Sequence, residues 1–501
     1  MTRIAGWCGR NFRVVLLPVM ALAAVPGGLG LPAQGQDTLR RESFDRDPGW
    51  EAHNNRPTQP ARAVRQDFGF STTSHAGGER GEIGGFITPA AEPAWYAARI
   101  REVTLNDRLT ASGRVTIASG GNLDDGAGNT LLGFFQARTL NEWRTPNTLA
   151  LRLNGRGDVF HAHVEYCTRK WRAGGDFFAG ATPPGGRRPI QDIPARGSTH
   201  RWSLRYEPGE NNGGGVIHAT LDDRTLAMPL DPGHRADGAL FDHFGLLNVM
   251  KSADGGGSLW VDDLEVNGTR WNFERDPQWE RSRNRAAYRT QNVRPWFNYG
   301  HSPTRHAGGK RAGELGGLLF RGDCRYPDRL SALGDRLQPL DLNRPLHAGG
   351  RVVLRRGVTD STVLFGFYHS QHSLAVNPSQ VSGVPGGFLG VAIEGPSREG
   401  FFLYPLARTG DGAHQVIAGG NDRPRIYPDG RSHAWTLDYD PNAAAGLGRI
   451  RVTLDGQSHL LELPAGYRTA GAGFDRFGFV TTWIDGNGQL VYLDDLVYTC
   501  R

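Results

Sequence analysis

The residues best suited to chemistry lie in one run, Asp158-Val-Phe-His-Ala-His-Val-Glu-Tyr-Cys-Thr-Arg169. In an extended chain alternate side chains point to opposite faces. Phe160, Ala162, Val164 and Tyr166 therefore turn one way, and His161, His163, Glu165, Cys167 and Arg169 the other. The run before it, Leu149-Ala-Leu-Arg-Leu-Asn154, sends its leucines inward and Arg152 and Asn154 outward. Folded as a hairpin, the two runs gather Arg152, Asn154, His161, His163 and Glu165 on one surface. Three chemistries fit that set. Arg152, Asn154 and Glu165, with nearby Gln136 and Arg138, would hydrogen-bond hydroxyls or clasp a carboxylate in the planar arginine fork, while Trp143 or Trp171 stacks on a flat ring. His161 and His163 with Glu165 would offer two imidazoles and a carboxylate to Zn²⁺. Glu165, His163 and His161 would act as general acid and base. A plain solvent-facing strand with polar residues is the alternative to all three.

The elements that must position these residues follow from composition and pattern. Of 501 residues 70 are Gly and 30 are Pro, which weighs against long helices, while 38% hydrophobic residues suffice for a sizeable core. Short alternating runs broken by Gly, Pro, Asn and Asp recur along the chain, among them Arg201-Trp-Ser-Leu-Arg-Tyr206 and Ala434-Trp-Thr-Leu-Asp-Tyr439. They read as half-buried antiparallel strands and their turns. The predicted fold class is all-β, with antiparallel sheets packed face to face as a jelly-roll sandwich.

The chain contains itself twice. Phe44-Asp-Arg-Asp-Pro-Gly-Trp-Glu51 recurs 229 residues later as Phe273-Glu-Arg-Asp-Pro-Gln-Trp-Glu280. His75-Ala-Gly-Gly with Gly81-Glu82 recurs as His306-Ala-Gly-Gly with Gly313-Glu314, and Trp260-Val-Asp-Asp-Leu264 as Tyr492-Leu-Asp-Asp-Leu496. This divides the chain into a first copy at 37–269 and a second at 270–501. Residues 1–33 have the basic start, short apolar run and small-residue exit of a signal peptide. The mature protein is thus expected to be secreted, periplasmic or on the cell surface, with no transmembrane segment. Without Arg3, Arg10 and Arg13 the net charge falls from +6 to +3, too mild to imply a nucleic-acid partner.

The second copy serves as an internal comparison. Setting Leu389-Gly-Val-Ala-Ile-Glu394 against the first run and Gly400-Phe-Phe-Leu-Tyr-Pro-Leu406 against the second replaces Arg152 by Ala392, His161 by Phe401, His163 by Leu403 and Glu165 by Pro405. The polar array then belongs to copy one. Cys324 and Cys500 have no counterpart in copy one, which suggests a disulfide between them and leaves Cys167 single. Asp262 and Asp494 in the closing strands, with Asp47 and Asp276 in the opening segments, form carboxylate clusters suited to Ca²⁺ or to ion pairs with Arg46 and Arg275. His75 and Glu82, like His306 and Glu314, sit among glycines that favour tight turns.

The long sandwich pattern, the Gly-Phe-Phe135 and Gly-Phe-Tyr368 strands and the closing Asp-Asp-Leu strands resemble the concanavalin A-like lectin/glucanase superfamily, its laminin G-like and sugar-hydrolase-like branches above all. The resemblance implies two tandem antiparallel sandwiches and an extracellular polysaccharide or glycoconjugate as partner, bound on the concave face of copy one. The Glu-x-Asp-x-x-Glu strand that marks the glucanase branch is absent, so glucanase activity is not implied. An enzyme here would be a glycoside hydrolase, needing a second carboxylate about 5–9 Å from Glu165, or a polysaccharide lyase, needing only a base beside a neutralised uronate. The contrasting expectation is a structural or adhesive cell-surface protein.

Overall fold

A computed structural model describes residues 38–501 other than 59, 119–128, 142–143, 181, 183–185, 196, 295 and 381–382. The expected signal peptide and Trp143 lie outside the described residues. Four antiparallel sheets pack as two sandwiches. In sandwich one, an eight-stranded sheet built around Thr148–Arg156 and Val159–Cys167, here the hairpin sheet, faces a nine-stranded sheet that contains Leu109–Ala118, Thr199–Glu207 and Gly257–Val266. One core fills the space between them, with Phe134, Leu151, Phe160, Val164, Trp202, Tyr206 and Phe244 buried in it. Sandwich two repeats the plan around Trp435, Tyr439, Phe365 and Phe479. The only α-helices among the described residues are the short His234–Asp237 and Tyr467–Ala470, and no described helix is long and apolar enough to cross a membrane.

The sheets do not follow the sequence repeat. The Phe273-to-Trp279 motif, which begins the second copy in sequence, lies in sandwich one: Phe273 and Trp279 belong to its core, Glu280–Ser282 pairs with Trp95–Thr104 and Arg285–Thr290 pairs with Arg62–Ser71. Sandwich two takes the matching motif from the start of the chain. Leu39–Glu42 pairs with the closing strand Gly488–Thr499, Glu51–His53 pairs with Ala332–Asp341, and Phe44 is 0% exposed in the second core. Asn55 exchanges hydrogen bonds with the Tyr299 backbone, as Asn284 does with Phe68. The motif therefore finishes a sandwich rather than opening one, and the two ends of the described chain meet where the Cys500 amide donates to the Thr38 carbonyl at 2.9 Å.

Both closing segments use the same local device. Phe44 and Phe273 adopt left-handed backbone (φ 54° and 52°), and Trp50 and Trp279 pack edge-on against them at 5.3 and 5.4 Å. The Phe carbonyl runs so close to Gly313 in one sandwich and Gly81 in the other that a Cβ at either glycine would collide with it.

The other repeated motifs are also structural. The Glu82 carboxylate accepts the His75 and Ala76 amides at 2.8 Å each, and Glu314 accepts those of His306 and Ala307 at 2.9 and 2.7 Å. Each His-Ala-Gly-Gly turn is thus held by a buried carboxylate, with its histidine against Trp260 or Tyr492. Asp262 and Asp494 lie beneath the same turns, where burial pushes each carboxyl up to about 6. Asp47 and Asp276 stand elsewhere, accepting the Gly49 and Gln278 amides within their own turns. Asp276 therefore belongs with sandwich one, as Asp262 does, and Asp47 with sandwich two, as Asp494 does, and among the described residues they do not gather into a group of three or more acidic, His or Cys side chains. The expected disulfide is not formed. Cys324 and Cys500 are free thiols, Cys324 buried against the carbonyls of Asn377, Gln380 and Trp483, and Cys500 beside Thr38. The N-terminal segment, which the repeat comparison places in the other copy, occupies the position beside Cys500.

Truncating Phe44 to Ala is expected to cost sandwich two about 3–5 kcal/mol. Hydrogen exchange should then quicken in Gly488–Thr499 and stay slow in Gly257–Val266; Phe273→Ala should give the converse.

Candidate functional site

The hairpin forms as the alternation predicts. Arg152 pairs with His163, Asn154 with His161 and Ala150 with Glu165. Leu149, Leu151, Leu153, Phe160, Ala162, Val164 and Tyr166 enter the core, so the five polar residues share the outer face of the hairpin sheet. The neighbouring strand Ala173–Phe177 pairs with Val159–Cys167 and sets Gly175 opposite Glu165, beside the Glu165 stem and the Arg144 guanidinium.

An ion pair organises this face. Arg152 Nη1 lies 3.0 Å from Glu165 Oε1, with side chains 14% and 5% exposed. A pair so far removed from water costs several kcal/mol of desolvation per ion, which mutual attraction offsets only in good geometry. His163, across the strand from Arg152, is held at about 3 by burial and then by the positive charges of Arg152 and Arg144. It is therefore neutral at ordinary pH. His161 is drawn off to Asp192, Nε2 to Oδ1 at 2.7 Å. The Asn154 side-chain oxygen is buried with no hydrogen-bond partner.

The remaining predicted residues fall elsewhere. Gln136 accepts the Asn147 side-chain amide at 3.0 Å and braces a loop, and Arg138 is exposed on the short helix Ala137–Thr139. Trp171 does not reach the polar face: its left-handed backbone (φ 57°) turns the indole onto Tyr427 of sandwich two, ring centres 5.5 Å apart. Cys167, wholly buried, has its thiol pushed up by desolvation and is a packing residue. Among the described residues no group of three or more His, Cys, Asp or Glu is placed to hold a metal ion. Sequence reasoning missed Arg144, Asp176, Asp192 and Phe177. Phe177 lies edge-on to His163 at 6.2 Å, Arg188 covers it at 5.3 Å, and the Asp176 charge acts on His163. Asp192 and Arg144 are loop residues with no strand register to betray them, and Asp176 and Phe177 end a short strand.

Sandwich two corrects the internal alignment by one residue. Ala392 pairs with Tyr404, Glu394 with Phe402 and Gly390 with Leu406, so His161, His163 and Glu165 correspond to Phe402, Tyr404 and Leu406. That face is not wholly apolar. The Tyr404 hydroxyl donates to Glu394 at 2.5 Å, and Arg321 approaches the same carboxylate at 3.4 Å.

Two antiparallel layers of like strand order, each closed over one core, decide the architecture. Each body is a two-layered antiparallel β-sandwich. No family model matches the chain, and no curated protein matches it. Among solved structures it is similar to peanut lectin (14% identity, covering 40% of this chain and 89% of that one, TM-score 0.24). It is similar too to an alginate lyase from Chlorella virus (13%, 40% and 89%, TM-score 0.26) and to an endo-β-1,4-glucuronan lyase from the fungus Trichoderma reesei (11%, 45% and 96%, TM-score 0.26).

Two outcomes follow. Arg152→Ala, which removes one partner of the buried Glu165 carboxylate, is expected to lower stability by about 3–5 kcal/mol, read by urea unfolding. His163 binds its proton more weakly folded than unfolded, so its contribution to stability is complete above about pH 6.5 and is lost as pH falls toward 3. His163→Gln should flatten the unfolding free energy across that window.

Proposed function

We propose that the outer face of the 148–167 hairpin binds extracellular polysaccharide, with Arg152, Asn154 and His163 as the direct contacts and Glu165 holding Arg152 in place. The observation that carries this reading is the desolvated Arg152–Glu165 pair. Apolar packing would stabilise the sheet as well or better, and sandwich two has Ala392 and Leu406 at those two positions. A sheet that keeps the ion pair gains a fixed guanidinium, which suits a uronate carboxylate or paired sugar hydroxyls. His163, held neutral beside that guanidinium, can accept a hydrogen bond from a sugar hydroxyl, and its depressed proton affinity makes it a weak general base. The N-terminal segment supports export of the mature protein.

A structural spacer is the second reading. It draws on the fact that the ion pair and the His161–Asp192 contact satisfy one another without a ligand.

The test is to assay the mature protein on neutral and uronate-containing polysaccharides for new reducing ends, for unsaturated-uronate absorbance and for retention on immobilised glycan. Binding lost in Arg152→Ala, and any product lost in His163→Ala, are the expected results. Absence of both binding and product on every glycan would favour the spacer.

A further inference from the structure

A second site is built where the sandwiches meet, away from the hairpin face. Two depressions of about 300 and 340 Å³ share Val293, Arg294 and Arg329 in their walls and so run end to end. One is completed by Arg62, Lys251 and Asp254 from sandwich one with Asp485 from sandwich two. The other is completed by Asn54, Arg56, Thr58, Trp296 and Asp328. The walls carry more cationic than anionic side chains, and the pairing inside them is uneven. Lys251 lies 3.2 Å from Asp254, and Arg294 grips Asp485 with two nitrogens at 3.3 and 2.7 Å.

Arg56 and Arg329 are held differently. Arg56 donates to neutral oxygens, Asn298 Oδ1 at 3.0 Å and the His301 carbonyl at 3.3 Å. Arg329 reaches Asp323 only at 3.6 Å, and Arg325 already clasps that carboxylate at 2.8 and 2.7 Å. Its guanidinium instead lies 4.5 Å over the ring of Tyr326, which is 45% exposed. Trp296, 8% exposed, lines the same depression with its indole N–H buried and without a hydrogen-bond partner.

We propose that this seam binds an extended, carboxylate-bearing saccharide chain. Arg56 and Arg329 receive carboxylates, and Trp296, Asn54 and Thr58 supply hydrogen bonds to hydroxyls. The joined depressions suit a chain of several sugars better than a single small anion. An arginine fork binds both oxygens of a carboxylate, whereas neutral hydroxyls gain little from the excess charge. The seam shares no residue with the hairpin face, so the two sites stand or fall separately.

The test uses fluorescent oligogalacturonate and a neutral galacto-oligosaccharide of equal length, titrated by anisotropy into the mature protein. The acidic chain should bind more tightly, and added NaCl should weaken it. The double variant Arg56→Ala/Arg329→Ala, with unfolding temperature unchanged, should lose about tenfold or more in affinity for the acidic chain. Arg329→Glu should lose at least as much, and Glu165→Gln should keep this binding component. Equal binding of the neutral chain, an undiminished double variant, or no binding of the acidic chain would each overturn the proposal. Loss in Glu165→Gln with none in the seam variants would overturn the seam and leave the hairpin reading standing.

Discussion

The structure depends on how its sheets are finished. An edge strand presents unpaired amide and carbonyl groups, and a sandwich whose rim is left open also exposes its core. Here one short motif meets both needs: it adds strands to both layers and drives a phenylalanine between them. Sandwich one receives the motif directly after its closing strand. Sandwich two has Gly488–Thr499 as its closing strand and receives the motif from the segment Leu39–His53. The second fold therefore depends on residues far away in sequence, and its completion must wait until the last strand exists for the first to pair with.

That closure also explains the most recognisable repeats. Gly81 and Gly313 allow the phenylalanine carbonyl to pass close by, and Glu82 and Glu314 hold the turns that precede them. Asp262 and Asp494 lie below those turns with carboxyls raised to about 6. A motif rich in His, Glu and Asp is easily taken for a metal or catalytic site. In this chain Glu82 and Glu314 are occupied with backbone amides, and they hold turns together.

Difference between the copies is the better guide to function. The two hairpin faces have the same strand order and register. One carries a desolvated Arg–Glu pair beside a neutral histidine, the other an aromatic and aliphatic surface with Tyr404 and Glu394 in hydrogen-bond contact. Costs of this kind are kept where a charge must be presented in a fixed direction. The seam adds a different kind of electrostatics, with Arg56 exposed and Arg329 half-buried between the two bodies.

Much was written in the sequence because strand alternation has a period of two and leaves its mark wherever one face is buried. The all-β class, the duplication, the inward row from Leu149 to Tyr166 and the outward row from Arg152 to Glu165 were all legible for that reason. Local pattern could not say which sheet the Phe44 and Phe273 motifs would join, since a segment that closes a sandwich looks the same whichever sandwich it closes. Nor could it reveal that Trp171 turns toward Tyr427, that Cys324 and Cys500 lie apart, or that Arg144, Asp176 and Asp192 converge on the hairpin. Those outcomes depend on contacts between distant segments and on loop backbone, which carry no periodic signal. The one-residue offset at Phe402 has the same origin: register is set by which backbone groups pair across strands, and only the folded sheet shows that pairing.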